Sequence, residues 1–135
     1  MLSSMTPTIV LRNGQLSFVT GSPGGPTIIS ATLLTVINWM RLGMEAQAAI
    51  NAPRFHHQWF PDRIRMEAEF PLSVEQALRA RGYEVERGWY ETPSLSDDAK
   101  LRKHIGLANA IGIDPQTGER LGAADPRDRG SAMGY

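Results

Sequence analysis

The hydrophobic pattern of this chain begins with two short runs rich in apolar and β-branched residues. Residues 7–12 and 15–20 are both typical of β-strands. Between them lies Asn13-Gly14, a dipeptide that strongly favours a two-residue hairpin because both residues tolerate positive φ. The pattern therefore predicts an antiparallel hairpin with a type I′ turn.

A glycine loop, Gly-Ser-Pro-Gly-Gly at residues 21–25, follows the second strand. After it, residues 27–42 carry apolar side chains at helical spacing, with Pro26 at the start and Gly43 at the end of the predicted helix. A turn between a strand and a helix leaves backbone N–H groups free at the positive end of the helix, where they bind anions or a developing oxyanion. The same residues are also ordinary turn formers, so from spacing alone an anion site and a plain turn both remain open.

The predicted helix at residues 27–42 is apolar over much of its surface. Its apolar positions are Ile28, Ile29, Leu33, Leu34, Val36, Ile37 and Met40. A helix of this kind packs on more than one side. Residues 1–60 also contain only four charged side chains, so we expect this part of the chain to be interior or covered by another element.

The rest of the chain alternates short strands and helices. The pattern predicts helices at 45–50 and 73–81, the second with Ser73 as its N-cap, and strands at 54–59, 64–67 and 83–86. A polar surface loop is predicted at 91–103. A final pair of strands is predicted at 108–113 and 120–124, joined by a turn at 114–118. Because hairpins imply antiparallel pairing, the predicted class is mixed α/β (α+β), and a doubly wound nucleotide-binding fold is excluded.

Composition narrows the classes of partner. Lys and Arg together number 14, as do Asp and Glu, and a chain of zero net charge has no electrostatic footprint for nucleic acid or an anionic membrane. There is no cysteine, which excludes disulfides, thiolate metal sites and a cysteine nucleophile. His56 and His57 are adjacent on a predicted strand and therefore point to opposite faces, so we expect structural histidines and no metal site.

Several motifs occur in a fixed order along the whole chain. They are Leu2-Ser3-Ser4-Met5, Pro7-Thr8-Ile9-Val10, Gly21-Ser22-Pro23-Gly24-Gly25, Ala52-Pro53-Arg54-Phe55-His56-His57-Gln58-Trp59, Pro61-Asp62, Asp125-Pro126-Arg127 and Gly134-Tyr135. The series resembles the C-terminal part of the small subunit of gamma-glutamyltranspeptidase, also called glutathione hydrolase. The resemblance implies an N-terminal-nucleophile hydrolase fold, an αββα sandwich with antiparallel sheets, of which residues 1–135 form a single, incomplete domain.

The resemblance also implies a chemistry. The family cleaves gamma-glutamyl amides such as glutathione through an acyl-enzyme on an N-terminal threonine, and passes the glutamyl group to water or an amine without a cofactor. By position, Ser3 and Ser4 look like the hydroxyls that hold the α-carboxylate of the substrate, and Gly24 and Gly25 look like the backbone donors of the oxyanion hole. The nucleophilic threonine has no counterpart here, so the implied partner is the missing N-terminal and large-subunit portion, or a second copy of the chain.

Two other readings of the sequence stay open. The chain could be a non-catalytic remnant that acts as a binding or oligomerisation module, because it contains no nucleophile-and-base pair. An unrelated serine hydrolase is disfavoured, because Ser22 lacks the Gly-x-Ser-x-Gly frame. Bacterial members of the family are usually exported, but residues 1–4 show neither the basic region nor the apolar region of a signal peptide.

Overall fold

The computed structural model describes residues 5–88, 104–127 and 130–133. Ser3 and Ser4 lie outside the described residues, and so does the surface loop predicted at 91–103.

The contacts between residues divide the chain into two compact units. Met1–Ala52 together with Gly106–Tyr135 form one, which we name the four-strand unit, and Pro53–Ile105 form the other, the three-strand unit. Along the chain the helices and strands are β1 (Thr8–Arg12), β2 (Gln15–Gly21), a 3-10 turn (Gly25–Thr27), α1 (Ile28–Met40), α2 (Ala46–Asn51), β3 (Phe55–His56), β4 (Ile64–Met66), α3 (Leu72–Ala80), β5 (Val85–Arg87), β6 (Asn109–Ile113) and β7 (Arg120–Ala123).

Each unit has its own sheet. The four-strand sheet has the order β1-β2-β6-β7 with every neighbouring pair antiparallel. The three-strand sheet has the order β3-β4-β5, in which β3 and β4 are antiparallel and β4 and β5 are parallel. The predicted mixture of helices with antiparallel pairing is confirmed. The parallel pair is additional, and it arises because α3 connects β4 to β5 as a crossover.

The predicted hairpin is confirmed. Arg12 pairs with Gln15, and the two turn residues Asn13 and Gly14 have φ values of 53° and 79°, as a type I′ turn requires. The register shifts between Val10 and Leu11, so a β-bulge strengthens the twist of this edge of the sheet.

The core of the four-strand unit lies between one face of its sheet and the helices α1 and α2. Phe18 is fully buried there and stacks on Trp39, with ring centroids 4.9 Å apart. Gly112 on β6 makes room for this pair, because a Cβ atom at that position would lie 2.7 Å from a ring carbon of Trp39. Small side chains from α2, β6 and β7 complete the cluster.

The helix α1 buries the face opposite to the one that its apolar stripe predicts. The residues buried on α1 are Ile28, Ala31, Thr32, Thr35 and Asn38. Ile28 at the start of the stripe is buried, but four of its other residues are exposed, and Leu33 in its middle is 54% exposed; the four are Ile29, Leu33, Ile37 and Met40. Within the described residues, the small and polar side of α1 takes the close contact with the unit's own core. The expectation that a second side of this helix is also covered stays a prediction.

The outer face of the four-strand sheet is also apolar and open. Ile9, on the edge strand β1, is 68% exposed, and Ile111 on β6 is exposed as well. We expect Ile9, Phe18, Ile28 and Leu33 to face an incomplete core if part of the fold lies elsewhere. The exposure of Ile9 and Leu33 agrees with that expectation, whereas Phe18 and Ile28 are buried and do not.

The turn between β6 and β7 is the one that the sequence predicts. Asp114 Oδ1 accepts hydrogen bonds from the backbone N–H groups of Gln116 (2.7 Å) and Thr117 (2.9 Å), and Gly118 N–H donates to Asp114 O (2.9 Å). The bonds from Thr117 and then Gln116 favour the charged carboxylate and lower the pKa of Asp114.

A buried ion pair ties the end of α2 to the segment after β7. Arg127 Nη1 lies 3.1 Å from Asp125 Oδ1, and both side chains are almost completely buried. Asp125 Oδ2 also accepts the N–H of Ala108 (2.7 Å), while the Arg127 guanidinium donates to Ile50 O (3.0 Å) and Ala52 O (3.1 Å). The positive group thus lies at the carbonyl end of α2, where it is stabilised by the helix dipole.

The three-strand unit is closed by a buried arginine. Arg54 Nη1 donates to Ile105 O (3.1 Å), which joins the two ends of the unit. The backbone N–H of Arg54 donates to Glu67 Oε2 (2.8 Å), and the N–H of Glu67 donates back to Arg54 O (3.0 Å). The small apolar cluster of this unit is formed by Ile64, Met66 and Val85, with Phe70 and Leu78 packed against it.

The N-terminus of α3 differs from the prediction. Pro71 is its N-cap and α3 begins at Leu72, so Ser73 lies inside the helix and is not the N-cap that the sequence predicts. No side-chain hydrogen bond caps this helix start within the described residues. Pro71 is compatible with this place because the N–H that it lacks is unpaired at a helix start in any case. In the described part of the chain, no helix combines the length and the hydropathy needed to cross a bilayer.

Candidate functional site

The glycine loop lies where β2 ends and the helical segment begins, as predicted. Gly24 has a φ of 140° and Gly25 a φ of 60°, a backbone region that favours glycine. Within the described residues the backbone N–H groups of Gly24 and Gly25 donate no hydrogen bond. Two free donors therefore stand at the positive end of a helical segment, which is the arrangement that stabilises an anionic oxygen.

A frame of buried hydroxyl groups holds the loop against residues 106 and 107. Ser22 Oγ accepts the N–H of Leu107 (2.9 Å) and donates to Pro23 O (2.7 Å). Thr27 Oγ accepts the N–H of Gly106 (2.9 Å) and donates to Gly24 O (2.8 Å). Both hydroxyls are buried, and each bridges the loop to the same neighbouring segment.

The loop and this neighbouring segment are packed backbone to backbone. A Cβ atom on Gly24 would lie 2.8 Å from Gly106 Cα, and a Cβ atom on Gly106 would lie 2.4 Å from Ala31 Cβ and 2.7 Å from Ser22 Oγ. By contrast, a Cβ atom on Gly25 would meet nothing within 4 Å. Close packing therefore requires glycine at positions 24 and 106, whereas at position 25 only the positive φ favours glycine.

Met5, the first described residue, lies beside this loop. Ser22 N–H donates to Met5 O (2.9 Å), and a Cβ atom on Gly21 would lie 3.2 Å from the same carbonyl oxygen. The positions of Ser3 and Ser4 themselves lie outside the described residues.

An open groove adjoins the loop on the outer face of the four-strand sheet. It has a volume of about 570 Å³ and is lined by Ser22 and Pro23 at the loop, Ile111 and Gly122 on the sheet, and Ala132 near the C-terminus. This volume lies in the range of small-molecule sites, roughly 300–1,000 Å³.

The two adjacent histidines make local hydrogen bonds. The imidazole of His56 is buried and its Nε2 lies 2.9 Å from Gln58 Oε1, while Nε2 of the exposed His57 lies 3.0 Å from Asp62 Oδ1. These contacts fit the predicted structural role.

Sequence reasoning proposed the two glycines as oxyanion donors but missed the residues that hold the loop. Ser22 and Leu107 are 85 residues apart in the chain, and no local pattern connects them. The signal that was available is the composition of the loop itself, since a serine and a threonine flank Pro23, Gly24 and Gly25 within six residues and can hydrogen-bond to nearby backbone.

Comparison with known proteins gives a family match over the whole chain. The sequence model of the family described as gamma-glutamyltranspeptidase matches residues 1–135. The chain is similar to the glutathione hydrolase proenzymes of Escherichia coli (41% identical over 126 residues, 93% of this chain) and Bacillus subtilis (34% identical over 133 residues, 98% of this chain). It spans 19% and 20% of the lengths of these two relatives.

Solved structures give the same picture. The chain superposes on the Helicobacter pylori gamma-glutamyltranspeptidase T380A mutant with a TM-score of 0.77 at 37% identity, which covers 94% of this chain and 62% of that one. It superposes on the gamma-glutamyltranspeptidase of Pseudomonas nitroreducens complexed with L-DON with a TM-score of 0.78 at 34% identity, which covers 100% of this chain and 64% of that one.

Proposed function

Because this chain belongs to the gamma-glutamyltranspeptidase family, we propose that it supplies the oxyanion-binding part of an active site that cleaves gamma-glutamyl amides. Its fold is the mixed α/β fold of the N-terminal-nucleophile hydrolases in that family. The observation that carries the proposal is the pair of N–H groups on Gly24 and Gly25, which donate to no described residue and are held on a buried frame beside an open groove.

In the proposed reaction, a threonine hydroxyl adds to the carbonyl carbon of the gamma-glutamyl amide and gives its proton to a base. The carbonyl oxygen takes up the electron pair and becomes an oxyanion, which the N–H groups of Gly24 and Gly25 stabilise. The C–N bond then breaks, the nitrogen leaves with the electron pair and takes the proton, and a glutamyl ester remains. Water or an acceptor amine attacks this ester and regenerates the threonine.

We assign the threonine to the part of the family sequence that this chain does not match, since the chain spans about one fifth of the curated relatives. Residues 1–135 are in this proposal the C-terminal portion of a small subunit. In this proposal, the chain provides the N–H donors for the carbonyl oxygen, and the remaining portion provides the threonine oxygen that attacks the carbonyl carbon.

Ser3 and Ser4 complete the proposed substrate site by holding the α-carboxylate of the glutamyl group. The support is the position of Met5, whose carbonyl oxygen accepts the N–H of Ser22 beside the glycine loop.

A chimeric precursor tests the proposal. In it, this chain replaces the matching segment of the Escherichia coli glutathione hydrolase proenzyme, to which it is 41% identical. We expect the chimera to release the anilide from a gamma-glutamyl anilide, because the donors and the threonine are then present in one protein. Release is measured by absorbance against the same proenzyme with the segment deleted.

An inactive chimera that has folded, as judged by circular dichroism, would contradict the proposal. Calorimetry with glutamate then separates the remaining readings. Binding of glutamate without turnover would identify a non-catalytic binding module, and the absence of both would leave shared ancestry alone.

The exposed apolar stripe on α1 marks the surface that we assign to the remaining portion of the enzyme. Leu33 at its centre is 54% exposed, and Ile29 and Met40 are exposed on the same side. Apolar patches of this kind are normally covered by a partner. When the remaining portion is absent, a second copy of the chain is the available cover.

Leu33→Asp is therefore expected to weaken self-association of the isolated chain by tenfold or more, which corresponds to about 1.4 kcal/mol. Sedimentation velocity over a range of protein concentrations measures the effect. Leu72→Asp is the matched control, because Leu72 is a similarly exposed leucine on α3 in the other unit. A wild-type chain that stays monomeric at every concentration would refute this assignment.

A further inference from the structure

The two free N–H groups of the glycine loop belong to peptide planes whose carbonyl oxygens are both anchored. The N–H of Gly24 shares a plane with the carbonyl of Pro23, and the N–H of Gly25 shares a plane with the carbonyl of Gly24. In a trans peptide, N–H and C=O point in opposite directions, so fixing the oxygen of a plane also fixes the direction of its N–H.

Each of these two carbonyl oxygens receives one hydroxyl hydrogen bond. Ser22 Oγ donates to Pro23 O (2.7 Å), and Thr27 Oγ donates to Gly24 O (2.8 Å). A backbone bond reaches the same oxygens, from Leu107 N–H to Pro23 O (3.1 Å) and from Thr27 N–H to Gly24 O (3.3 Å). Each plane is thus held by one side chain and one backbone group.

The oxygen of each hydroxyl also accepts a hydrogen bond from a backbone N–H group. Ser22 Oγ accepts the N–H of Leu107, and Thr27 Oγ accepts the N–H of Gly106, both at 2.9 Å. A hydroxyl that accepts one hydrogen bond in a buried position directs its own hydrogen elsewhere, here to the loop carbonyl. The backbone of residues 106 and 107 therefore sets the direction of both loop planes through two side chains.

We propose that Ser22 and Thr27 are positioning residues, each of which aims one oxyanion donor: Ser22 the N–H of Gly24, and Thr27 the N–H of Gly25. The assignment of those donors to an oxyanion rests on the proposed function, whereas the orientation of the two planes does not. Neither hydroxyl binds the substrate in this scheme, since both are buried and each is already engaged in two hydrogen bonds with backbone groups.

A positioning role has a kinetic signature that a purely structural role lacks. The oxyanion exists in the transition state and not in the bound substrate, so a misaligned donor lowers kcat and leaves KM nearly unchanged. The expected loss is roughly 10- to 100-fold, less than the 10²–10³ for removal of a whole donor, because the N–H remains and only its direction becomes variable.

The test compares four variants in the chimeric precursor. Thr27→Val removes the hydroxyl at nearly constant volume and is expected to lower kcat for the gamma-glutamyl anilide about 10- to 100-fold, with KM within about twofold, and Ser22→Ala is expected to do the same. Thr27→Ser keeps the hydroxyl and is expected to retain kcat within about threefold. Ser17→Ala is the matched control, because Ser17 is also buried and loses a hydroxyl bond, 3.2 Å from Trp39 Nε1, that reaches neither the loop nor the groove beside it.

A second measurement does not depend on activity. With ¹⁵N-glycine labelling, the amide order parameter of Gly25 is expected to fall in Thr27→Val from the rigid value of about 0.85 to below about 0.6, and that of Gly24 to fall in Ser22→Ala. Equal kcat in Thr27→Val and Thr27→Ser, or unchanged order parameters, would overturn the positioning role. An inactive wild-type chimera would overturn the proposed function instead, and the order parameters would then decide the positioning role alone.

Discussion

Gly24→Ala is expected to reduce kcat of the chimeric precursor by roughly 10²–10³, the loss that accompanies removal of an oxyanion donor. The new Cβ atom would lie 2.8 Å from Gly106 Cα and 3.1 Å from Thr27 Oγ, and a φ of 140° is a conformation that an alanine rarely adopts. The backbone has to move away from residue 106, and the N–H groups at residues 24 and 25 move with it. The measurement is the rate of anilide release under saturating substrate.

Two other glycines separate the causes of that loss. Gly118→Ala also places an alanine at positive φ, 75°, but in the β6–β7 turn and with no neighbour within 4 Å, so kcat should be unchanged. Gly25→Ala meets no neighbouring atom, so its effect on kcat should lie between the other two. If Gly24→Ala retained kcat within about threefold of the parent, the loop would not be the oxyanion site.

The largest effect on stability is expected at Asp125. Asp125→Asn removes the charge that balances the buried guanidinium of Arg127, and it turns an acceptor of the Ala108 N–H into an amide that carries its own donors. Breaking a buried pair from one side costs about 3–5 kcal/mol of unfolding free energy. This is a large part of the roughly 5–15 kcal/mol that a domain of ordinary size possesses.

Equilibrium unfolding in urea, followed by circular dichroism at one fixed protein concentration, measures this loss. A fall of the midpoint by about 1 M or more is expected, since the slope for small proteins is roughly 1–3 kcal/mol/M. Asp62→Asn is the control: Asp62 is also paired, at 3.0 Å from His57, but its side chain is 85% exposed, and exposed pairs contribute about 0–1 kcal/mol. Equal midpoints for the two variants would show that the Asp125–Arg127 pair does not support the fold.

The parts of the fold that the sequence predicts correctly are those set by short-range chemistry. The hairpin follows from Asn13 and Gly14, because few other residue pairs adopt positive φ twice in succession. The turn before β7 follows from Asp114, whose carboxylate bonds the backbone two and three residues ahead. In both cases the residues that specify the structure also make its contacts.

The face that α1 buries could not be predicted in this way. Helical spacing of Ile29 and Leu33 identifies an apolar side, but it does not say which surface lies against it. The unit's own core meets Ala31 and Thr35 instead, because small side chains allow the closer approach of helix and sheet. In the proposed function, α1 belongs to a larger enzyme and has two covered faces. The unit's own core covers one face, and we assign the more apolar face to the remaining portion of the enzyme.

The candidate site also contains residues that local sequence indicates and residues whose roles depend on the tertiary fold. Gly24 and Gly25 could be proposed from the sequence because a glycine turn before a helix has a recognisable local pattern. Ser22 and Thr27 acquire their roles only when Gly106 and Leu107 lie against them, and that contact closes a loop of some eighty residues. Such pairings are fixed by the tertiary fold, so a single sequence holds no periodic signal for them.

The bond from Arg54 Nη1 to Ile105 O has a consequence for how this protein can be re-engineered. It brings the entrance and the exit of the three-strand unit to one point, so the polypeptide returns to nearly the place from which it departed. A change in the length of the stretch between those two residues is therefore expected to be tolerated best where the bond from Arg54 to Ile105 O is kept, because that bond holds the two ends of the unit together.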